Sequence, residues 1–225
     1  QRVLLVALTM MLQTVSSYCF TYESGVLTNG GTCSGDITIP ESVSEIGNYA
    51  FYMSSITSIT IPSSVRSIGD SAFFGSSLQS VTIPASVERI GKYAFQMCSK
   101  LISVKFEKES NLKEISSLSF SLCPSLTTFT IPSSVQTIDS YSFYGSTGLV
   151  TVDQQPGATA LTKIGSYAFT GCTNLMNVSL SATYYHVRTN DDGDTTGPDL
   201  GPDDPNAEPI KEENPNVPVQ EINEN

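Results

Sequence analysis

Apolar and polar positions recur in a common pattern along the middle of the chain. The segment ITIPESVSEIGNYAF is followed, at the same phase, by ITIPSSVRSIGDSAF and VTIPASVERIGKYAF. Six copies begin at Ile37, Ile59, Val81, Val104, Phe129 and Val152, and a partial copy begins at Val178. Successive copies start 22 to 26 residues apart. A period of this length predicts a solenoid of stacked, similar units.

Each copy predicts a strand and then a helical turn. In the third copy Val81 and Ile83 are apolar and Thr82 between them is polar, which is the period of a half-buried strand. Pro84 ends this strand because proline has no backbone N–H for a ladder. The next apolar positions have the spacing of one face of a helical turn: Val87, Ile90, Ala94 and Phe95.

One glycine position recurs at a fixed phase of the unit, at Gly47, Gly69, Gly91 and Gly165. This predicts either a close approach of helix and sheet or a backbone with positive φ. A single unit cannot bury its apolar face, whereas stacked units bury a continuous core.

Units of about 20 to 29 residues are typical of leucine-rich-repeat solenoids. We therefore predict an α/β repeat over residues 36–187, with a parallel β-sheet on the concave face and short helical turns on the convex side. Residues 18–35 would form an N-terminal cap, because the end of a solenoid must be sealed.

The N-terminal residues predict export. Val3 to Leu12 read VLLVALTMML, preceded by Arg2 and followed by small residues up to Ser17. This is the pattern of a signal peptide over residues 1–17, with cleavage after Ser17. The run is too short for a transmembrane helix, and no stretch of about 18 apolar residues occurs elsewhere in the sequence. A buried N-terminal capping helix is the alternative.

Residues 188–225 have a different composition. They contain six of the twelve prolines, no aromatic residue, 11 acids and 2 bases, for a net charge of −9. Low hydrophobicity with high net charge predicts a disordered acidic tail. Asp191, Asp192 and Asp194 lack the spacing of a calcium loop, so a solvated spacer is the favoured interpretation.

Charge and composition exclude several functions. The whole chain carries a net charge of −11, and residues 1–187 have 11 acids and 9 bases without a basic stripe, so nucleic acid is not a predicted partner. One histidine and five scattered cysteines support neither a metal site nor a His-dependent triad. His186 is interpreted as a residue at the end of the core. We predict no catalytic residues, no cofactor and no enzyme activity.

The cysteines divide into two groups. Cys98, Cys123 and Cys172 each follow the phenylalanine of their unit by three residues, a position that serine occupies in other units. This predicts a buried internal ladder, although a bridge between Cys98 and Cys123 is not forbidden. Cys19 and Cys33 lie between the signal peptide and the first unit, and in an exported protein they predict a capping disulfide.

Outward positions of the predicted strands form a hydroxyl-rich face with one cation and one anion. The candidate ligand-binding residues are Ser58, Thr60, Ser80, Thr82, Ser103, Lys105, Thr128, Thr130, Thr151 and Asp153. Stacked in register, they would give an extended surface for noncovalent binding. The alternative is that threonine merely suits an exposed strand. In addition, Asn177 begins an Asn-Val-Ser glycosylation sequon, which has meaning in a eukaryotic source.

The repeated pattern I-x-I-P-x-S-V-x-x-I-G-x-x-A-F resembles the BspA-type leucine-rich repeat over residues 36–181. That family comprises surface proteins of anaerobic bacteria and of mucosal or gut-dwelling protists. The resemblance implies a right-handed, curved solenoid that is displayed outside the cell and used in adhesion. The copies at Val104 and Val152 lack the Ile-Pro pair, and there the pattern departs from the family.

Two functions follow as hypotheses. The first is an exported or surface-displayed protein that binds a protein or glycan of a host or neighbouring cell through its concave face. The second is a structural, variable surface antigen that acts as a rigid spacer without a single ligand.

If residues 1–17 are a signal peptide, the mature chain should begin near Tyr18 and be found outside the cell or on its surface. Mass spectrometry of the N-terminus of the native protein checks this expectation. An uncleaved form recovered from the cytosol would contradict it.

Overall fold

The alternating segment of each unit forms a strand, as its period of two predicts. The computed structural model describes residues 19–158 and 161–180, and these form a parallel β-solenoid. The predicted signal peptide, the acidic tail and His186 lie outside the described residues. None of the described segments is a helix with the length and apolar character needed to cross a membrane.

Fifteen short strands follow one another in the described residues: β1 (Thr21–Glu23), β2 (Val26–Thr28), β3 (Ser34–Thr38), β4 (Glu45–Ile46), β5 (Ser55–Thr60), β6 (Ser67–Ile68), β7 (Ser80–Ile83), β8 (Arg89–Ile90), β9 (Ser103–Phe106), β10 (Glu114–Ile115), β11 (Thr128–Ile131), β12 (Thr137–Ile138), β13 (Thr151–Gln154), β14 (Lys163–Ile164) and β15 (Asn177–Ser179). The odd-numbered strands from β3 onward come from the alternating segments. The even-numbered strands from β4 onward have two residues each. In each unit, the short strand follows the turn that comes after the longer strand.

Strands of one kind pair in parallel from unit to unit. The longer strands form the sheets β3-β5-β7-β9 and β11-β13-β15, and the short strands form β2-β4-β6-β8 and β10-β12-β14. Strand β1 is antiparallel to β2 and completes the N-terminal end. The longer series is interrupted after the unit at Val104, between β9 and β11, and the short series is interrupted before it, between β8 and β10. In both places the two strands still lie side by side. The two interruptions therefore lie on either side of the copy at Val104, where Phe106 and Glu107 replace the Ile-Pro pair.

The prediction of short helical turns is wrong. The apolar stripe of the third unit, including Ala94 and Phe95, is buried as expected, but no α-helix or 3₁₀-helix occurs among residues 19–158 and 161–180. Tyr93 and Met97 have φ values of 60° and 59°, which a right-handed helix does not contain. The N–H of Phe95 donates to the carbonyl of Ser119 in the next unit at 2.8 Å, instead of bonding four residues back.

Positive φ recurs at two fixed positions of the unit. The first position is occupied by Tyr49, Ser71, Tyr93, Leu118, Tyr141 and Tyr167, and the second by Met53, Gly75, Met97, Leu122, Gly145 and Gly171. Bulky residues rarely adopt this conformation on their own. Because the same geometry holds whether the residue is tyrosine, serine or glycine, stacking against the neighbouring units imposes it.

One phenylalanine of each unit stacks on its counterpart in the next unit. The rings are nearly parallel, with centroid distances of 5.3 Å for Phe51–Phe73, 5.0 Å for Phe73–Phe95, 5.1 Å for Phe95–Phe120, 5.8 Å for Phe120–Phe143 and 5.2 Å for Phe143–Phe169. All six side chains are buried. This column is the centre of the core, and the aliphatic residues of both strand series surround it.

The recurring glycine reflects close approach rather than positive φ. A Cβ at Gly69 would lie 2.6 Å from the backbone nitrogen of Asn48, and one at Gly91 would lie 2.6 Å from that of Asp70. Real Cβ atoms do not come so near to backbone, so a larger residue would push neighbouring units apart. The contact joins two units of the stack and not, as the sequence pattern suggested, a helix and a sheet.

The N-terminal end of the core is covered by residues 19–33. Cys19 and Cys33 form a disulfide with a Cα–Cα distance of 5.0 Å. Between them, Leu27 is buried, and the ring of Phe20 lies edge-on to Phe51 at 6.0 Å. The phenylalanine column therefore ends under a short disulfide-closed hairpin and is not open to water.

The other three cysteines are buried and free. The thiol of Cys98 donates to the carbonyl of Phe73 at 3.0 Å, and those of Cys123 and Cys172 make equivalent bonds to the preceding unit. Ser146 makes the same bond through its hydroxyl, at 2.8 Å. Burial raises the pKa of Cys98 to about 11 and that of Cys172 to about 12. The predicted internal ladder is thus a ladder of side-chain to backbone hydrogen bonds.

Replacement of Phe95 by alanine should lower the free energy of unfolding by about 3 to 5 kcal/mol, because it leaves a cavity between two stacked rings. Chemical denaturation of the purified chain measures the change. Tyr93→Ala, in the same turn but at an exposed side chain, is the control and should have a much smaller effect. A loss below about 1 kcal/mol for Phe95→Ala would contradict a core position.

The three free thiols should not react with Ellman's reagent at pH 8 in the folded chain and should all react after unfolding, because they are buried and protonated. A raised pKa favours the protonated form in the folded state. The stability that it contributes is present below the ordinary thiol pKa and is lost as the pH rises toward about 11. Rapid labelling of Cys98 in the folded chain, with Cys98→Ser as the control, would contradict this burial.

Candidate binding surface

The outward side chains of the longer strands form a continuous surface, here called the strand face. Its first row joins Asp36, Ser58, Ser80 and Ser103 on one sheet and Thr128, Thr151 and Asn177 on the other. Its second row contains Thr38, Thr60, Thr82 and Lys105, then Thr130, Asp153 and Ser179. Alternate residues such as Val81 and Phe129 point inward and are buried. All ten predicted binding residues therefore lie together on one face.

Most of these side chains are open to solvent. Ser58, Ser103 and Thr151 are half-buried, and the other seven predicted residues are exposed. Lys105 is in register with Thr82, and Asp153 is in register with Thr130 and Ser179. At about 4.8 Å per strand, seven strands of the described chain give a face of roughly 30 Å. Such a surface can make many shallow polar contacts with an extended partner.

Asp36 belongs to the strand face and was not among the predicted residues. Its carboxylate accepts hydrogen bonds from the hydroxyl of Ser58 at 2.7 Å and from that of Thr57 at 3.1 Å. These two hydrogen bonds, the one from Ser58 first, lower the pKa of Asp36. The signal was present in the sequence, because Asp36 precedes Ile37 as Ser58 precedes Ile59. Strands β3 and β5 both begin several residues before the isoleucine of their unit, whereas each later strand of this series begins one residue before its apolar residue.

Lys105 and Asp153 are the charges of the strand face that remain available. The salt bridges within residues 19–158 and 161–180 are Arg66–Glu88 and Arg89–Asp70, and neither involves the strand face. Glu107, two residues after Lys105, accepts the N–H of Ala85 at 3.1 Å. Lys105 and Asp153 therefore face solvent without an ion-pair partner among the described residues.

A further row adjoins the strand face where the strands begin, and sequence reasoning missed it. It consists of the residue that directly follows the recurring leucine of the later units, which is Leu78, Leu101, Leu126, Leu149 or Leu175: Gln79, Ile102, Thr127, Val150 and Met176. The N–H of Ile102 donates to the carbonyl of Gln79 at 2.8 Å, and that of Met176 donates to Val150 at 2.9 Å, so the row is in register. Ile102 is 54% exposed and Met176 is 68% exposed. The strand face is therefore bordered by an apolar edge in its C-terminal half.

Among the described residues, no group of three or more His, Cys, Asp or Glu side chains is placed so that it could hold a metal ion. Asn177 of the predicted sequon is exposed on β15, so its amide is accessible. Glycosylation at this position stays a prediction.

The fold is that of a leucine-rich-repeat solenoid. Its strands are parallel and in register, each unit makes one turn of chain, and the outward side chains form an extended strand face. The family model described as "BspA type Leucine rich repeat region" matches residues 13–150 and 157–190 in six copies. The chain belongs to this family of BspA-type leucine-rich-repeat proteins. The resemblance drawn from the repeated pattern is confirmed.

Solved structures of bacterial leucine-rich-repeat proteins share the fold. The T. pallidum leucine-rich repeat protein TpLRR is 26% identical with a TM-score of 0.59, over 72% of this chain and 90% of that chain. A leucine-rich repeat protein from Eubacterium ventriosum is 26% identical with a TM-score of 0.50, over 78% of this chain and 54% of that chain. The pneumococcal vaccine antigen PcpA is similar in fold alone. It is 20% identical with a TM-score of 0.57, over 74% of this chain and 69% of that chain. No curated protein matches the chain in sequence.

Proposed function

We propose that the chain is secreted or displayed at a cell surface and that its strand face binds a protein or glycan of a host or neighbouring cell. The observation that carries this proposal is the strand face itself: about 30 Å of ordered hydroxyl groups with two unpaired charges. Repeat solenoids use such extended sheets as binding surfaces. Membership of the BspA-type family supports display outside the cell.

Noncovalent attachment is the activity that these side chains support. Exposed hydroxyl groups exchange hydrogen bonds with water for hydrogen bonds with a partner, at little net cost. Lys105 and Asp153 orient an approaching partner more than they hold it, because both are exposed and screened. Adhesion built in this way depends on many weak contacts along the face rather than on one deep pocket.

The double exchange Lys105→Glu with Asp153→Lys should weaken binding to a responsive member of a panel of extracellular-matrix proteins and glycans by about tenfold. The melting temperature should not change, since both side chains are exposed. Lys163→Glu with Glu41→Lys reverses two exposed charges away from the strand face and is the matched control. Surface plasmon resonance on the full chain measures the affinities.

Removal of residues 188–225 should leave the affinity of the strand face nearly unchanged. If that deletion abolishes binding while the double exchange does not, the acidic segment and not the strand face is the recognition element. If no member of the panel binds saturably, the rigid-spacer hypothesis is favoured instead.

A further inference from the structure

Three apolar side chains border the strand face and do not belong to the hydrophobic core. Ile102, Val150 and Met176 are the apolar members of the C-terminal part of the row described above, with Thr127 between Ile102 and Val150, and we call these three residues the apolar edge. Val150 is half-buried, and Met176 is the most exposed large apolar side chain in the described part of the protein. The same row holds Gln79 and Thr127, so the position itself does not require an apolar residue.

The apolar edge can supply binding energy that the hydroxyl rows cannot. A hydroxyl group that binds a partner first gives up its hydrogen bonds to water, so its net contribution is small. An exposed aliphatic side chain gains free energy in proportion to the area that a partner covers. In protein interfaces a small number of well-covered residues usually carries most of the affinity. The apolar edge is therefore the strongest candidate for the energetic centre of the surface.

Two charges on the strand face, each about 10 Å along its strand from the apolar edge, restrict what can bind. Lys105 lies on β9, three residues after Ile102, and Asp153 lies on β13, three residues after Val150. The two charges are separated by two strand steps, or about 10 Å. A complementary partner presents an anion to Lys105 and a cation to Asp153, next to an apolar group. A neutral glycan carries neither charge, and an anionic glycan would be repelled by Asp153.

We propose that the partner is an extended polypeptide segment whose aliphatic or aromatic side chains cover Ile102, Val150 and Met176. A carboxylate of that segment faces Lys105, and a Lys or Arg of the segment faces Asp153. About 10 Å corresponds to roughly three residues of extended chain, so the two charged residues of the segment are two to four positions apart. This inference rests on the proposed function and names the class of partner for the same surface.

A phage-displayed library of random 12-residue peptides, selected on the immobilised full chain, tests the inference. The selected peptides should share an aliphatic or aromatic residue together with an acid and a base two to four positions apart. In the full chain, Ile102→Ser with Met176→Ser should lower the affinity for the synthetic selected peptide about tenfold or more. Tyr49→Ser with Met53→Ser is the matched control, because these side chains are 61% and 59% exposed but lie outside the strand face.

Charge exchange provides a readout that a general loss of folding does not produce. Lys105→Glu should lower the affinity for the selected peptide. A peptide whose acidic residue is replaced by lysine should bind this variant more tightly than the original peptide does. The inference is overturned if the apolar-edge double variant binds the selected peptide as tightly as the unaltered chain. It is also overturned if the selection yields no common motif while neutral glycans on an array bind the strand face.

These failures differ from a failure of the proposed function. In both cases the exchange of Lys105 and Asp153 can still weaken attachment to the matrix panel, and the strand face then remains the binding surface with another class of partner. If that exchange has no effect on attachment, the proposed function fails as well.

Discussion

Hydrogen bonds between the backbones of successive units hold each position of the repeat beside its counterpart in the next unit. They occur in the two strand series and also in the turns, where the N–H of Phe73 donates to the carbonyl of Ala94 and that of Phe95 donates to Ser119. Because the register is preserved in all of these segments, residues of one phase form columns along the solenoid. The phenylalanine column, the thiol and hydroxyl ladder and the rows of the strand face are all consequences of this register.

The same constraint explains the unusual backbone of the turns. Each turn must aim its N–H groups at the neighbouring unit, so two residues per unit adopt positive φ even where they are tyrosine or methionine. Such conformations cost free energy for residues with a Cβ, and they persist because the stacked units over-determine them. The recurring glycine has another role, since Gly69 and Gly91 keep neighbouring backbones close without positive φ.

A register that repeats in every unit also makes departures from it informative. Lys105, Asp153 and the apolar edge occupy positions where other units carry threonine, serine or glutamine. The fold tolerates either kind of residue there, because these side chains do not enter the core. Differences between units at such positions are therefore not required by the stack. The interruption of pairing between β9 and β11 falls among these same units.

By itself the sequence determined the repeat, the buried phenylalanine position, the strands and the ten residues that share the strand face. These features depend on periodicity alone, and a period of two or of about 22 residues is visible without a structure.

The sequence also placed the apolar stripe of Val87, Ile90, Ala94 and Phe95 inside, but it assigned the stripe to a helical turn. Spacing of three and four residues fits a helix and also fits a two-residue strand followed by tight turns, and only the hydrogen bonds between units distinguish them. The tertiary structure alone decided the positive-φ positions and the carbonyl partners of Cys98 and Cys123. It also revealed the apolar edge, because whether Ile102 or Met176 enters the core depends on how the neighbouring unit packs against it, and no local pattern contains that information.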